Sequence, residues 1–266
     1  MLRGLVTGAI LGSLLFSLPA AAATFDEAVK RGALRICVVE SAPYAMKTPR
    51  GRWIGHEIDI GQRLATDFGL APEFVPTTYE DMIARLNKGD CDLISASLAI
   101  EPAWLRQAWF TTPYGESDVS IVAAGKGPVQ LSALDKQGAA IAVVHGAPAA
   151  DFAKLKLPLA TIEQFPDLIA AERALDAGAV AALAHKAPIP RLIAAKAPDR
   201  YVVVDGEPLT RTASAFAIRK GDADMLNLLN GWIEARRSDG FLDRTSRYWL
   251  TTLDWRERLK PRETRK

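Results

Sequence analysis

Tyr79-Glu80-Asp81-Met82-Ile83-Ala84-Arg85-Leu86-Asn87-Lys88-Gly89-Asp90-Cys91-Asp92-Leu93-Ile94-Ser95-Ala96-Ser97-Leu98 holds a helix, its stop and a strand. Met82, Ile83 and Leu86 give residues 79–88 one apolar face at helical spacing. Gly89 ends that helix, because glycine takes the left-handed conformation of a helix end without a Cβ clash. Cys91 to Leu98 then has the length and apolar content of a buried strand. A helix passing through one glycine into such a strand is half of a βαβ unit and predicts a parallel sheet covered by helices.

The same alternation extends in both directions. Upstream, Leu34 to Val39 reads as a strand, residues 42–55 as a turn rich in Pro, Gly and basic residues, and Ile58 to Gly69 as a helix. Ile58, Leu64 and Phe68 make that helix's apolar face, and Glu73 to Pro76 is a short strand. The pattern restarts after Tyr114. Val119 to Ala123 reads as an extended run crossing from one unit to the next. Strands at 139–144, 160–162 and 180–184 then alternate with helices at 149–156 and 168–177. Ala213 to Arg219 reads as a second crossing, followed by helices at 225–238 and after Asp239-Gly240. Two α/β units of similar build are expected.

The ends and the composition set the class. Met1-Leu2-Arg3, an apolar run from Leu5 to Leu18 and Ala20 to Ala23 are the parts of a cleaved secretory signal peptide, residues 1–23. The apolar run is shorter than the roughly 20 residues a membrane span needs. With 49% hydrophobic and 24% charged residues the remainder can bury an ordinary core. The formal net charge of +2 gives no electrostatic reason to expect nucleic acid. Cys37 and Cys91 fall in an exported chain, where disulfides persist. Both read as members of neighbouring parallel strands, which seldom offer bridge geometry, so a disulfide and two buried thiols both stay open.

Several segments together resemble the bacterial extracellular solute-binding proteins, family 3. Ile54-Gly55-His56-Glu57-Ile58-Asp59-Ile60 resembles the family's Gly-Phe-Asp-Ile-Asp-Leu, and Met82 to Ile94 its Leu-Ile-Pro-Ala-Leu-x-x-Gly-x-x-Asp-Leu-Ile. Phe110-Thr111-Thr112-Pro113-Tyr114 resembles Phe-Ser-x-Pro-Tyr. Leu229-Asn230 through Asp239-Gly240 to Tyr248-Trp249 resembles the C-terminal Leu-Asn…Asp-Gly…Lys-Trp. The resemblance implies an α/β fold of two lobes, a type II periplasmic binding protein, each lobe a parallel-rich sheet flanked by helices. Lobe 1 would be 25–116 plus 216–266 and lobe 2 would be 117–215, joined by two hinge strands and closing on a ligand.

Against that family pattern the binding residues depart. An amino-acid ligand needs a partner for its carboxylate and another for its ammonium. The family supplies an arginine fork for the first and an acid from the second lobe for the other. Counted without gaps, the arginine position holds Trp104. Arg106, two residues on, is turned away by roughly 200° on a helix. The acid position holds Lys186 or, one residue earlier, His185. Gly146-Ala147-Pro148 stands where Gly-Thr-Thr is common and lacks both the hydroxyl and an N–H at Pro148.

The expected ligand-binding set is therefore Tyr44, Trp53, Ser97, Trp104 and Lys186, with aromatics for packing and the lysine for an anionic group. The competing readings are a core tryptophan and a solvated lysine. His56, His145 and His185 lack the spacing of metal ligands. No nucleophile elbow, phosphate loop or His-Glu-x-x-His is present, so neither an enzyme nor a cofactor is expected. The expectation is a monomeric periplasmic protein that captures a small organic solute other than a standard α-amino acid and works with an ABC-transporter permease. The alternative is an accessory protein of a periplasmic quinoprotein (methanol) dehydrogenase, because Leu34 to Cys37 and Asp90 to Leu93 are similar to that group's paired-cysteine segments.

Overall fold

The computed structural model describes residues 24–116, 118–145, 147, 149–206 and 208–259; the expected signal peptide lies outside them. In chain order the first elements are α1 (Thr24–Arg31), β1 (Ala33–Val39), β2 (Met46–Lys47), β3 (Trp53–Ile54), α2 (His56–Asp67) and β4 (Ala71–Thr77). They continue with α3 (Met82–Lys88), β5 (Leu93–Ala99), α4 (Pro102–Leu105), β6 (Trp109–Phe110) and β7 (Gly115–Glu116). A second group holds β8 (Val119–Ala124), α5 (Leu131–Leu134), β9 (Ala140–Val144), α6 (Ala149–Lys156) and β10 (Thr161–Phe165). It ends with α7 (Leu168–Asp176), β11 (Ala182–Lys186), α8 (Ile189–Lys196) and β12 (Tyr201–Val203). The chain then returns through β13 (Ala213–Ile218), α9 (Ala223–Ser238) and α10 (Phe241–Thr251) to a 3₁₀ turn at Asp254–Leu259.

Two lobes result. One sheet runs β4-β1-β5-β13-β6, with β7 also on β13; the other runs β10-β9-β11-β8-β12. β1 pairs in parallel with β4 and β5, and β9 in parallel with β10 and β11, while β13 and β8 run antiparallel to their neighbours. Each sheet is apolar on both faces, as helices on both sides require. In β9, Ile141 and Val143 pack toward the α6 residues Ala149, Ala150 and Ala153. Ala142 between them packs toward Ala171 and Leu175 of α7.

The helix boundaries follow local chemistry. Gly89 closes α3 in the left-handed conformation (φ 81°), its N–H returning to the last turn. Asp167 and Asp222 cap α7 and α9 by accepting from the N–H groups of Ala170 and Met225 at 2.8 and 3.0 Å.

Three expectations change. β8 and β13 do not themselves cross; each belongs to one sheet, and the chain passes between the lobes in the short segments before them. Those two segments are laced together: Leu209 N–H donates to Val119 O at 2.7 Å and Thr212 N–H to Asp118 Oδ1 at 3.0 Å. Cys91 precedes β5 rather than lying within it. The register sets Cys37 opposite Ile94, the ladder to β1 reaches back to the Asp92 N–H, which donates to Arg35 O at 2.8 Å, and Cys91 lies just before it. Cys91 can then approach Cys37 to a Cα–Cα distance of 5.6 Å and form a disulfide. Trp53 sits in the β2–β3 hairpin opposite Lys47, whose Nζ lies 4.8 Å from the centre of its ring, and packs on the core of the first lobe.

Away from the crossings the lobes also touch. Leu192 of α8 packs in an apolar cluster with Met46, Ile54, Trp249 and Trp255 of the other lobe.

Candidate ligand-binding cleft

A cavity of about 490 Å³ lies between the lobes, within the size range of small-molecule sites. It brings together four of the five expected residues: Tyr44, Ser97, Trp104 and Lys186 line it, and Trp53 does not.

Tyr44 is placed by backbone contact. The N–H of Glu57 donates to Tyr44 O at 2.9 Å, and a Cβ on Gly55 would come within 2.1 Å of that same oxygen. With φ 145°, position 55 therefore takes only glycine. Ser97 is placed by a bulge. On β13 only Phe216 separates Ala215 and Ala217, whereas Ser95, Ala96 and Ser97 separate their partners Ile94 and Leu98 on β5. Phe216 pairs instead with Thr111, whose Oγ1 accepts its N–H at 3.1 Å. The surplus chain is absorbed at Ser97, whose φ of 47° is the one positive value on a non-glycine among the described residues. Such strain is tolerated where the surroundings over-determine it, and it turns the Ser97 carbonyl toward the opposite lobe.

Lys186, at the end of β11, answers from that lobe. Its Nζ donates to Ser97 O and lies 5.2 Å from the centre of the Tyr44 ring, a cation–π distance. Tyr44 OH donates the other way, to Ala187 O. Each lobe thus gives one donor and one carbonyl to the closed cleft. Burial holds the Lys186 amine down, to about 8, against the pull of the carboxylates of Glu57 and Glu101. No ion pair within 4 Å joins it to a carboxylate among the described residues. His185 also lines the cavity, and burial favours its neutral form, with the charge of Lys186 acting in the same direction. Both residues of the one-residue ambiguity, His185 and Lys186, line the cavity.

Trp104 on α4 does two things: its side chain lines the cavity and also packs against the cluster around Met82, Ile83 and Leu86. Arg106 is exposed, and no arginine lines the cavity among the described residues. Ala147 lines it too, while Gly146 and Pro148 lie outside the described residues.

Behind Tyr44 stands a cluster that the sequence reading missed. Glu57 is fully buried and accepts from Ser95 Oγ at 2.6 Å and Tyr114 OH at 2.6 Å, with His56 Nδ1 at 2.9 Å. Burial alone would raise its pKa, but these three donors outweigh it and hold the carboxyl below its ordinary value. His56 Nε2 reaches Ser246 Oγ on α10 at 3.0 Å. Ser246, His56 and Glu57 have the order of a nucleophile, base and orienting acid, yet His56 is buried, Ser246 sits mid-helix, and neither lines the cavity. The arrangement ties α2 to α10. His56, Glu57 and Tyr114 lie in the Gly-His-Glu and Pro-Tyr segments quoted above, so that part of the signal was in the sequence without its chemistry.

A cyclohexadienyl dehydratase of Pseudomonas aeruginosa is 23% identical over 238 residues, 88% of each chain. The L-cystine-binding protein TcyJ of Escherichia coli is 25% identical over 212 residues, 78% of each chain. Among solved structures, an ancestral cationic amino-acid solute-binding protein superposes with a TM-score of 0.77 at 31% identity, covering 85% of this chain and 99% of that one. The profile of the bacterial extracellular solute-binding proteins, family 3, matches residues 34–252. With nearly all of both sheets, both crossings and the cleft inside that span, the chain belongs to this family, the periplasmic or extracellular binding components of amino-acid-type ABC transporters.

Proposed function

We propose that the protein captures a small organic solute other than a standard α-amino acid between its lobes and presents it to the permease of an ABC importer. Lobe 1, residues 25–116 plus 216–266, and lobe 2, residues 117–215, close as two bodies about the paired crossings. Tyr44, Ser97, Trp104 and Lys186 form the binding set, with Trp53 outside it. The observation that carries this reading is the Lys186 ammonium, which reaches across the cleft to the Ser97 carbonyl in a cavity that no arginine lines among the described residues. Among the described residues the cavity has no carboxylate clamp of the guanidinium kind, and a ligand ammonium beside Lys186 would meet a like charge.

Binding rather than catalysis is supported by the carboxylates. Glu57 is committed to three donors and lines no part of the cavity, and Glu101, which does line it, stands at the start of α4, partly exposed. The dehydrogenase-accessory reading gains one observation, the Cys37–Cys91 bridge. That bridge is wholly buried, so it offers no docking surface. Thermal-shift screening against amino acids, carboxylates and neutral solutes tests the proposal, and stabilisation by common amino acids alone would refute it. Recovery of a dehydrogenase from periplasmic extract, with no ligand shift, would favour the accessory role.

A pH dependence follows. Lys186 is cationic below about 8 and loses its proton above it. Affinity for an anionic ligand should hold up to that pH and fall as pH rises further, while affinity for a neutral analogue stays flat. Titration calorimetry across that range reads the difference; parallel profiles for the two ligands would remove Lys186 from the binding role.

A further inference from the structure

The cleft supplies one strong cation, Lys186, and among the described residues one carboxylate, Glu101, which stands partly exposed at the start of α4 and whose charge acts on that lysine. Lys186 carries three N–H donors, of which one is spent on Ser97 O. The remaining donors belong to a charge that has no carboxylate partner within 4 Å among the described residues. Burying such an ammonium is costly until an anion meets it. The Ser97 carbonyl, the acceptor that the bulge of β5 aims into the cleft, is already taken by Lys186, so a ligand ammonium arriving there would displace the lysine or sit against it. Tyr44 OH, the donor from the same wall, is occupied by Ala187 O. His185 is held neutral by burial and adds no second positive charge. A doubly charged anion would therefore be half compensated. The rest of the wall mixes polar side chains, Ser41, His145, Thr210 and Thr212 among them, with the apolar or aromatic Met82, Trp104, Val119, Phe152 and Ile189.

We propose that the ligand is a monocarboxylic acid with an aromatic or branched apolar body and no amino group, its carboxylate on Lys186 and its body against Trp104 and Phe152. This deepens, and rests on, the reading of the cleft as a binding site for a solute other than an amino acid. Lys186 supplies from the protein the ammonium that an amino-acid ligand would bring, bound to the carbonyl that faces it. The occupant then needs only the acid and the apolar body.

Matched series of ligands on the full chain test it. The acids are 3-phenylpropionate, 4-methylpentanoate and indole-3-propionate. Their amino counterparts are phenylalanine, leucine and tryptophan, and their neutral counterparts the corresponding alcohols. At least one acid should bind at least tenfold more tightly than both its amino acid and its alcohol, by calorimetry near pH 7. Lys186→Met should remove that preference, bringing the acid-to-alcohol affinity ratio to within about twofold, and Lys186→Arg should restore part of it. An alcohol that binds as well as its acid overturns the monocarboxylate assignment but leaves the parent reading standing. An amino acid that binds more tightly than its acid overturns both. No binding by any acid at millimolar concentration overturns the assignment, and a response from the neutral series alone then keeps the parent reading. If Lys186→Met does not fold, the acid-to-amino-acid ratio in the unaltered protein decides alone.

Discussion

Glu57→Gln lowers the stability of this protein by about 2–3 kcal/mol near neutral pH, and Glu57→Ala by about 4 kcal/mol. The carboxylate is wholly buried and takes three donors from three places: His56 beside it on α2, Ser95 on β5, and Tyr114 just ahead of β7. Charge-assisted hydrogen bonds of this kind are roughly twice as strong as neutral ones. Glutamine keeps the shape and one acceptor, but its amide donors face groups that were themselves donating. Alanine leaves all three donors buried without an acceptor.

The pH dependence has a definite sign. The folded-state pKa of Glu57 lies below its unfolded value, so its stabilisation is fully present above that unfolded value, about 4.3, and fades as pH falls through the folded one. Denaturant unfolding should show a wide gap between the protein and Glu57→Gln near neutral pH, narrowing in acid. A gap of less than about 0.5 kcal/mol near neutral pH, the range of ordinary surface changes, would show that the cluster is not a stabilising one. The cluster also bears on the cleft, because the N–H of Glu57 holds Tyr44 O and Ser95 begins the bulge that ends at Ser97.

The sequence exposed most of the scaffold because its elements carry complete local signals. The α3–Gly89–β5 unit, the α6 span and the glycine stops need no distant partner to be read. Elements with broken or short signals were lost. α8 opens at Ile189-Pro190 after Pro188, and prolines in the first turn suit a helix start while looking like a loop. α4 and α5 span four residues each, too few to display a period. Trp53 was misplaced because an aromatic in a loop has no sequence mark saying which way its hairpin faces.

Within the cleft, that Trp104 and Lys186 would line the cavity was readable from the family resemblance and counting along the chain. The conformation of Ser97 was not, because a serine gives no warning of positive φ as a glycine would. Nor was the convergence on Glu57, which joins residues 38 and 57 positions away through sheet packing rather than spacing.

Removing the disulfide should be the largest single loss. Cys37→Ala with Cys91→Ala frees a loop closed across a sequence separation of 54 residues, worth about 4 kcal/mol in the chain-entropy account. At about 2–4 °C per kcal/mol for a chain of this size, the midpoint of thermal unfolding should drop by about 8–15 °C. Both half-cystines are wholly buried among Met82, Ile83, Leu86 and Ile94, so alanine also leaves two small voids that add to the loss. The entropic part acts on the unfolded chain. The denaturant slope should therefore rise as the uncrosslinked chain exposes more surface, while ligand affinity in the folded state changes little. β5 retains its ladder to β1 and β13 without the bridge, which is why the cleft should survive at moderate temperature. An unchanged midpoint in the double variant would mean that the folded state gives back in strain what the cross-link removes from the unfolded one. A lowered midpoint together with lost ligand affinity would mean instead that the bridge holds the Ser97 bulge itself, and the two halves of the cleft would then be coupled through Cys91.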